Sequence, residues 1–530
     1  MRRLIKKFVL YAAILFWLVS FSSACFGSSA NDSSSFDSKK VKQSRSIIKI
    51  GSRLELFVDD YLIDHLVGDA KLHLHNPVPQ EIVFVHDTPW EGSGSGYHSI
   101  FKDGDKYRMY YKAWQHEASK TETHGINCCY AESKDGIHWT RPELGLYEFE
   151  GSKVNNIVFI NGEMKGAYAD GGHPAVFKDE NPNVSPDAQY KALLPATKTR
   201  GLIAFKSPDG INWTPMQTTP VITDGAFDSQ NLAFWDNELG EYRAYWRYFD
   251  TGTKENPYQG VRCIRTAKSK DFITWYDQAN LSYVDSPNEQ LYTNQIKPYY
   301  RAPHILIGFP MRYTDRGWSE SMKALPELEH REWRSSKSQR YGTAITDAMF
   351  MASRDGVLFK RWNEAFLRPG IERKGTWNYG HHCLAWTIVE TKSGLTGGAP
   401  NELSFYSVES YWTDTSSELR RYTLRLDGFV SAYAPMTGGE IITKPFTFTG
   451  KNLFLNFSSS AAGDIKIEIQ NVNGKPVPGF TLQEAPPVFG DSIERQVPWK
   501  DGADLLKLEG KTIRLRFVLK DADLYSFRFK

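Results

Sequence analysis

Cysteine is scarce in this sequence: it occurs 5 times in 530 residues, and no two cysteines have C-x-x-C spacing. The absence of that spacing removes the usual sequence signal for a structural zinc site. Cys128, Cys129, Cys263 and Cys383 lie in apolar, strand-like stretches. We therefore expect buried free thiols at these positions.

Net charge and helical periodicity are also low. The formal net charge is +2 at pH 7, so no global field favours nucleic acid or an anionic membrane. Helical patterning is almost absent, and residues 324–336, ALPELEHREWRSS, are the best helix candidate. The composition indicates a globular protein with two domains, or a large repeat domain with a small second one.

Only one apolar run is prominent, and it is short. Residues 8–21, FVLYAAILFWLVSF, follow four basic residues and precede Ser-Ser-Ala-Cys. This pattern predicts a signal peptide over residues 1–24 and export to the periplasm, the cell surface or the medium. Cys25 is a possible lipid attachment site, with simple cleavage nearby as the alternative. Residues 25–50 are rich in serine and predict a flexible tether.

One seven-residue phrase recurs along the chain. SKDGIHW begins at Ser133, SPDGINW at Ser207, SKDFITW at Ser269 and SRDGVLF at Ser353, with a degraded copy, RLDGFVS, at Arg425. Each of the four full copies follows a strand-like run, and in each of them a turn signal is followed by an aromatic residue. Two further strand-like runs precede each phrase, so each unit predicts four strands.

These units predict an all-β fold, a five-bladed β-propeller followed by a C-terminal β-sandwich. The propeller is expected over residues 51–436, with part of residues 52–87 adding a closing strand. Residues 437–530 contain alternating strands separated by Asn-Gly and Asp turns, which favours the sandwich. An array of β-sandwiches would explain the alternating pattern of the strands but not the recurrence of similar units along the chain.

Polar residues stand at the start of each predicted inner strand, where a propeller converges on its axis. An isolated residue of this kind is more often a turn residue, but here the pattern recurs in five segments. We predict Asp228, Glu289 and Asp170 as catalytic carboxylates. The predicted substrate-binding residues are Tyr97, His98, Trp114, His173, Gln230, Asn231, Tyr292, Asn294, Gln295, Arg312, His381, His382 and Glu409.

Together these features resemble the propeller glycoside hydrolases of the invertase and arabinanase/xylosidase type. The resemblance rests on five blades, acids at inner strands, a C-terminal sandwich and segments such as LFVDDYLID, FDSQN and LYTNQ. It implies three acids on successive blades, which Asp170, Asp228 and Glu289 match. The invertase N-D-P-N-G and R-D-P motifs are missing, and Tyr97 and His98 stand where the first blade would carry a carboxylate.

Glycosidic cleavage needs one protonated and one ionised carboxyl group. Asp228 is flanked by Ser229, Gln230 and Asn231, whose donors would favour the ionised form, so it is predicted as base or nucleophile. Glu289 follows Pro287 and precedes an aromatic-rich strand; a less polar setting would raise its pKa, so it is predicted as the general acid. The expected partner is a poly- or oligosaccharide, cleaved from the chain end, without nucleic acid.

Two alternatives remain open at the level of sequence. One is a propeller that binds carbohydrate without cleaving it. The other is a metal-dependent polysaccharide lyase or hydrolase that uses His98, His173, His381 and His382. No cofactor is expected, although a structural Ca²⁺ or a metal in the funnel remains possible.

Overall fold

The computed structural model describes residues 47–116, 124–413 and 415–530, and strands predominate among them. The predicted signal peptide, most of the tether and Cys25 lie outside the described residues. No helix in the described part of the chain is both long and apolar enough to cross a membrane. The predicted free thiols are confirmed: all four described cysteines are free, and Cys263 alone is only partly buried.

Five sheets follow one another along the chain, and we number them in that order. Sheet 1 contains strands Gly96–Asp103, Lys106–Ala113, Asn127–Ser133, Trp139–Thr140 and Ile157–Ile160. Sheet 2 contains Val176–Lys178, Tyr190–Pro195, Leu202–Ser207 and Thr214–Pro215. Sheet 3 contains Leu232–Asp236, Glu241–Phe249, Arg262–Ser269 and Trp275–Asn280.

Sheet 4 is divided into two parts. The main part contains Ser282–Val284, Lys297–Tyr299, Ala302–Gly308, Met351–Ser353 and Leu358–Arg361. The companion part contains Gln290–Leu291, Met311–Asp315 and Ala344–Ala348. Between the last two of these strands lie the helices Glu320–Ala324, Leu328–Lys337 and Gln339–Thr343. The helix predicted near residues 324–336 is thereby confirmed.

Sheet 5 joins two distant parts of the chain. It contains Val389–Thr391, Glu402–Glu409 and Glu418–Arg425, and its last strand is Val78–Val85 from far upstream. The prediction that residues 52–87 supply a closing strand is confirmed. A small hairpin, Gly162–Met164 with Ala167–Ala169, lies between sheets 1 and 2 in the chain.

The repeated phrase forms the same turn in sheets 1 to 4. In sheet 1, Gly136 N donates to Ser133 Oγ at 2.9 Å, while Ile137 N and His138 N donate to Asp135 Oδ1 at 2.8 Å. The equivalent backbone bonds recur in the phrases at Ser207, Ser269 and Ser353. The phrase is therefore a side-chain-capped turn between antiparallel strands.

Contacts between the sheets run in chain order. Tyr110 of sheet 1 donates its hydroxyl to Gly210 O in the turn of sheet 2 at 2.9 Å. The ring of Phe177 in sheet 2 lies 5.8 Å from that of Phe272 in the turn of sheet 3. Neighbouring sheets are thus connected through the repeated turns.

The same kind of contact continues and returns to the beginning. Tyr245 of sheet 3 donates to Gly356 O of sheet 4 at 2.9 Å, and Tyr299 of sheet 4 donates to Asp427 Oδ1 after sheet 5 at 2.7 Å. Tyr406 of sheet 5 donates to Gly136 O of sheet 1 at 2.6 Å. These contacts close a cycle from the first sheet through the fifth and back.

Two buried glutamines connect the segments that lead into the first strands. Gln230 Nε2 lies 3.1 Å from Tyr97 O, 3.2 Å from His98 O and 2.8 Å from Pro174 O. Gln295 Nε2 donates to Gln230 Oε1 at 2.8 Å and to Leu384 O at 2.7 Å. We call this pair the amide hub; it links residues at or just before one strand of each sheet, namely Gly96–Asp103, Val176–Lys178, Leu232–Asp236, Lys297–Tyr299 and Val389–Thr391.

The remaining strands form one ten-stranded sheet, the terminal sheet. Its strands are Ile48–Gly51, Glu55–Leu56, Ile63–Gly68, Lys71–Leu74, Val430–Ala434, Gly439–Thr443, Phe446–Phe448, Leu453–Asn471, Asp491–Gln496 and Ile513–Phe529. Its core is rich in leucine, isoleucine and phenylalanine. The strands between residues 48 and 74 belong to this sheet, whereas the sequence analysis assigned residues 51–436 to the propeller.

The amide hub generates a stability prediction. Gln230→Met keeps the volume but removes the amide, so Tyr97 O loses its donor, while His98 O keeps Trp386 N, Pro174 O keeps Ser99 Oγ and Gln295 Nε2 keeps Leu384 O. We expect the free energy of unfolding to fall by ~3 kcal/mol, because each unpaired buried acceptor costs ~1–3 kcal/mol. Urea unfolding checks this, with Gln278→Met at an exposed position as the control. Equal midpoints for the two variants would rule out a structural role for Gln230.

Candidate functional site

The segments leading into the first strands converge at what we call the upper end of the five sheets. There the side chains of Tyr97, Tyr292, Tyr379 and Tyr411 line a cavity of about 20 Å³. Tyr379 Oη donates to Tyr292 Oη at 3.1 Å. A cavity of this size holds about one water molecule, so the upper end of the axis is filled by phenol rings.

Cationic side chains surround this tyrosine cluster. Lys112 Nζ donates to Tyr411 Oη at 2.7 Å and lies 4.8 Å from the centre of the Tyr97 ring. The Arg247 guanidinium lies 4.7 Å from the Tyr292 ring centre. Burial lowers the pKa of Lys112 to about 7, although the charge of Asp170 opposes that shift.

The charge around Tyr292 changes its acidity. Burial opposes ionisation, but the charge of Arg247 and hydrogen bonds with Tyr379 and Tyr97 outweigh it and lower the pKa of Tyr292 to about 8. An ordinary tyrosine titrates near pH 10. Tyr292 is therefore the phenol of this cluster most ready to carry negative charge.

Backbone strain accompanies the same region. Tyr97, Gln295 and His382 adopt left-handed conformations with φ of 51°, 47° and 59°. Each such non-glycine residue costs ~1–3 kcal/mol, and such strain concentrates at functional sites. Tyr97 lies at the start of Gly96–Asp103, Gln295 precedes Lys297–Tyr299 and His382 precedes Val389–Thr391, so the strain is concentrated at the upper end.

Asp170 is the carboxylate most closely tied to the tyrosine cluster. Its Oδ2 lies 2.6 Å from His173 Nδ1, and its Oδ1 accepts from Gly172 N at 2.6 Å. The His173 ring lies 5.1 Å from the Tyr97 ring. Burial opposes ionisation of Asp170, but His173, Gly172 N and Lys112 outweigh it and lower its pKa. The predicted residues Asp170, His173 and Tyr97 thus lie together.

Asp228 joins the cluster through an arginine. Its side chain is 55% exposed and forms an ion pair with Arg247, which also packs on Tyr292. The donors expected around its carboxylate have other partners: Ser229 Oγ donates to Tyr292 O at 3.0 Å, and Asn231 Nδ2 donates to Phe227 O at 2.9 Å. Asn231 therefore fixes the backbone of its own turn, and Ser229 binds the backbone of the segment that contains Tyr292.

Glu289 lies in a more polar setting than the sequence suggested. Arg312 Nη1 donates to its Oε1 at 2.9 Å, and Arg361 Nη2 lies 3.0 Å from its Oε2. Glu289 also lines a cavity of about 210 Å³ together with Arg262 and Tyr283. The predicted contact residue Arg312 therefore binds protein carboxylates.

Asp347 is an acid that the sequence prediction missed. Arg312 holds it with two bonds, Nε to Oδ1 at 2.9 Å and Nη2 to Oδ2 at 2.5 Å. Burial raises the pKa of Asp347, and the charge of Glu289 adds to the rise, although Arg312 opposes it. Asp347 lies in TDAMFMAS, away from the start of any first strand, so a search confined to those positions passes over it.

The predicted funnel histidines are buried and bind other protein groups. His86 Nδ1 lies 2.9 Å from Ser417 O, and His86 Nε2 lies 3.0 Å from His98 Nε2. His381 Nδ1 accepts from Trp377 N at 3.0 Å, and His382 Nε2 lies 2.8 Å from Arg368 O. Burial lowers the pKa of His98, His381 and His382.

None of His98, His173, His381 and His382 belongs to a group of three ligand atoms close enough to hold a metal ion within the described ranges. Glu409 is fully buried against Arg373 at 2.6 Å and Arg420 at 2.9 Å. Burial opposes its ionisation, but these arginines outweigh it and lower its pKa.

Four further predicted residues bind other protein groups. Asn294 Oδ1 accepts from Ile296 N at 3.3 Å, and Gln230 and Gln295 form the amide hub. Trp114 lies 5.0 Å from Lys112 Nζ and packs edge-on against Trp412, with ring centres 6.3 Å apart. Of these residues, only Trp114 lies beside Lys112, one of the cationic side chains around the tyrosine cluster.

A much larger cavity lies where the first strands end, which we call the lower end. Its volume is about 920 Å³, within the range of small-molecule sites. All five sheets contribute, and the lining includes Lys102, Glu180, Trp235, Lys297, Tyr300 and Glu390. None of the three predicted catalytic acids lines it. This cavity and the predicted catalytic acids therefore lie at opposite ends, separated by the amide hub, whose Gln295 also lines the cavity.

The acidity of Tyr292 can be measured directly. As the pH rises through about 8, we expect one tyrosine to ionise well before the others, because Arg247 stabilises its phenolate. The near-ultraviolet absorbance of tyrosinate, followed during a pH titration, should show this early step. Tyr292→Phe should remove it, whereas Tyr258→Phe at an exposed position should not. An early step that survives Tyr292→Phe would assign the shift to another residue.

No protein-family model matches the sequence, and no curated protein matches it significantly. Among solved structures, the fold is similar to that of a glycoside hydrolase with 13% identity, covering 66% of this chain and 92% of that chain, with a TM-score of 0.41. An endo-arabinase from Bacteroides thetaiotaomicron has 12% identity and covers 66% and 97%, with a TM-score of 0.36. RS223-β-xylosidase has 10% identity and covers 67% and 98%, with a TM-score of 0.39.

Proposed function

We propose that the protein is an exported glycoside hydrolase-like enzyme that cleaves a glycosidic bond of a poly- or oligosaccharide at the upper end. Its five sheets are taken as the blades of a β-propeller, and the terminal sheet as the accessory β-sandwich. The closed cycle of contacts from sheet 1 to sheet 5 and back supports the propeller. Export and a lipid anchor at Cys25 remain proposals that rest on the N-terminal sequence alone.

The observation that carries the enzymatic proposal is the difference in surroundings among Asp228, Glu289 and Asp347. Burial favours the protonated form of Asp347, which shares Arg312 with Glu289. Asp228, mostly exposed, faces an arginine that packs on Tyr292. Glycosidic cleavage needs such a contrast, one carboxyl group able to donate a proton and another able to accept one or attack.

In this proposal the Glu289–Asp347 pair serves as the acid side. Burial raises the pKa of Asp347, and in this proposal its carboxyl group supplies the proton for the leaving oxygen. Asp228 acts as base or nucleophile, and Asp170 with His173 orients the sugar beside Tyr97. Cleavage from the chain end is consistent with an axis that the amide hub blocks.

Substitutions of the acids test the assignment. We expect Asp228→Asn, Glu289→Gln and Asp347→Asn each to lower turnover by a factor of about 10²–10⁴, because general acid–base groups contribute that much. Purified protein is first screened against plant and algal polysaccharides, and product sizes are resolved. Asp277→Asn, at an exposed ion pair with Lys268, is the matched control.

An activated aryl glycoside separates the roles. Its leaving group needs little protonation, so the acid-side variants should regain cleavage while Asp228→Asn should not. Near-normal turnover of Asp228→Asn on the natural substrate would remove it from the mechanism, and Asp170 would be the next base to test.

The lower cavity favours a second candidate function, carbohydrate binding without cleavage. Trp235 and Tyr300 line about 920 Å³ of space beside amide and charged side chains. Flat aromatic surfaces with a few polar groups are suited to sugar rings. The upper cavity, by contrast, has room for about one water molecule.

Binding at the lower end predicts a different response to substitution. Trp235→Ala should weaken oligosaccharide binding at least tenfold, about 1.4 kcal/mol, because it removes an aromatic surface. Calorimetric titration measures this, with the exposed Trp318→Ala as control. Unchanged affinity in Trp235→Ala would exclude this cavity as the binding site, whatever the outcome for the acids.

A further inference from the structure

Two histidines and an aspartate meet on one face of the terminal sheet. His73 lies in the strand Lys71–Leu74, and His75 follows that strand directly. Residues two apart in extended chain point to the same side. Through the intervening strand Val430–Ala434, His73 pairs with Ser431 while Tyr433 pairs with Asp523. The register therefore places His73, His75 and Asp523 on a common face.

Their ligand atoms are close together. His75 Nε2 lies 3.5 Å from Asp523 Oδ1, His73 Nδ1 lies 4.0 Å from the same oxygen, and all three atoms lie within 4.8 Å of one another. A tetrahedral zinc ion with bonds of about 2.0–2.2 Å holds its ligand atoms roughly 3.4 Å apart. Small side-chain movements would bring these three atoms to that spacing.

The surroundings orient two of the three side chains. Ser431 Oγ donates to Asp523 Oδ1 at 2.5 Å and lies 2.9 Å from His75 Nε2. Groups of this kind outside the first coordination shell fix the ligands of metal sites. The His73 side chain is 50% exposed, so one side of the cluster is open to solvent.

We propose that His73, His75 and Asp523 form a Zn²⁺ site with a fourth position open to water. Two imidazoles with one carboxylate suit zinc and related transition metals, whereas Ca²⁺ and Mg²⁺ prefer oxygen ligands. The site is independent of the proposed enzymatic chemistry. It joins a strand from the beginning of the described chain to its last strand.

The test uses the protein without a polyhistidine tag, stripped with a chelator and titrated with Zn²⁺ by calorimetry. We expect one ion per chain with micromolar or tighter affinity. His73→Ala, His75→Ala and Asp523→Asn should each weaken binding at least tenfold. Titration with Co²⁺ should give the visible absorption of a low-coordinate site in the wild type and lose it in these variants.

The matched control is His65→Ala, because His65 lies beside Asp64 on another strand of the same sheet at 3.1 Å. It should bind zinc like the wild type. Zinc should also raise the melting temperature of the wild type by several degrees and leave that of His73→Ala unchanged. His73 is half exposed, so this variant should fold even if Asp523→Asn does not. Absence of stoichiometric binding, or equal binding by wild type and His73→Ala, would overturn the proposal.

Discussion

The amide group of Gln230 is the interaction on which the arrangement of the five sheets depends. One buried side chain lies within hydrogen-bonding distance of carbonyl oxygens from sheets 1 and 2, and its own oxygen accepts from Gln295. These carbonyl groups are buried and need donors, and the Gln230 amide adds to the bonds that Pro174 O accepts from Ser99 Oγ and His98 O accepts from Trp386 N. The hub therefore sets both the spacing of the sheets and the boundary between the upper and lower cavities.

The position of the acids follows from that boundary. The tyrosines fill the space directly above the hub, so the carboxylates do not share the axis with one another. Asp170 reaches the cluster through His173 and Tyr97, and Asp228 reaches it through Arg247. Glu289 and Asp347 share Arg312 on the side of sheet 4. At the upper end the carboxylates are therefore connected through arginine and tyrosine side chains and do not contact one another directly.

Local features could be predicted from the sequence, and long-range ones could not. The phrase at Ser133 forms its turn through bonds that span only a few residues, so its pattern alone predicts the hairpin. The role of Gln230 depends on carbonyls more than 50 and more than 130 residues away. Its sequence context resembles that of a substrate contact equally well. Asp347 was missed for the same reason, because its burial and its share of Arg312 arise from packing of a strand outside the repeat.

The pairing of Val78–Val85 with Glu418–Arg425 has a consequence for how the chain reaches its final form. Sheets 1 to 4 are each built from residues close in sequence, but sheet 5 pairs two strands that are more than 300 residues apart. Until Glu418–Arg425 pairs with it, Val78–Val85 has no partner strand in sheet 5, and each of the two strands keeps an unpaired edge. Closing so long a loop costs chain entropy before it gains contacts. We therefore expect the pairing of Val78–Val85 with Glu418–Arg425 to form last and to be the first strand pairing to separate when the protein unfolds.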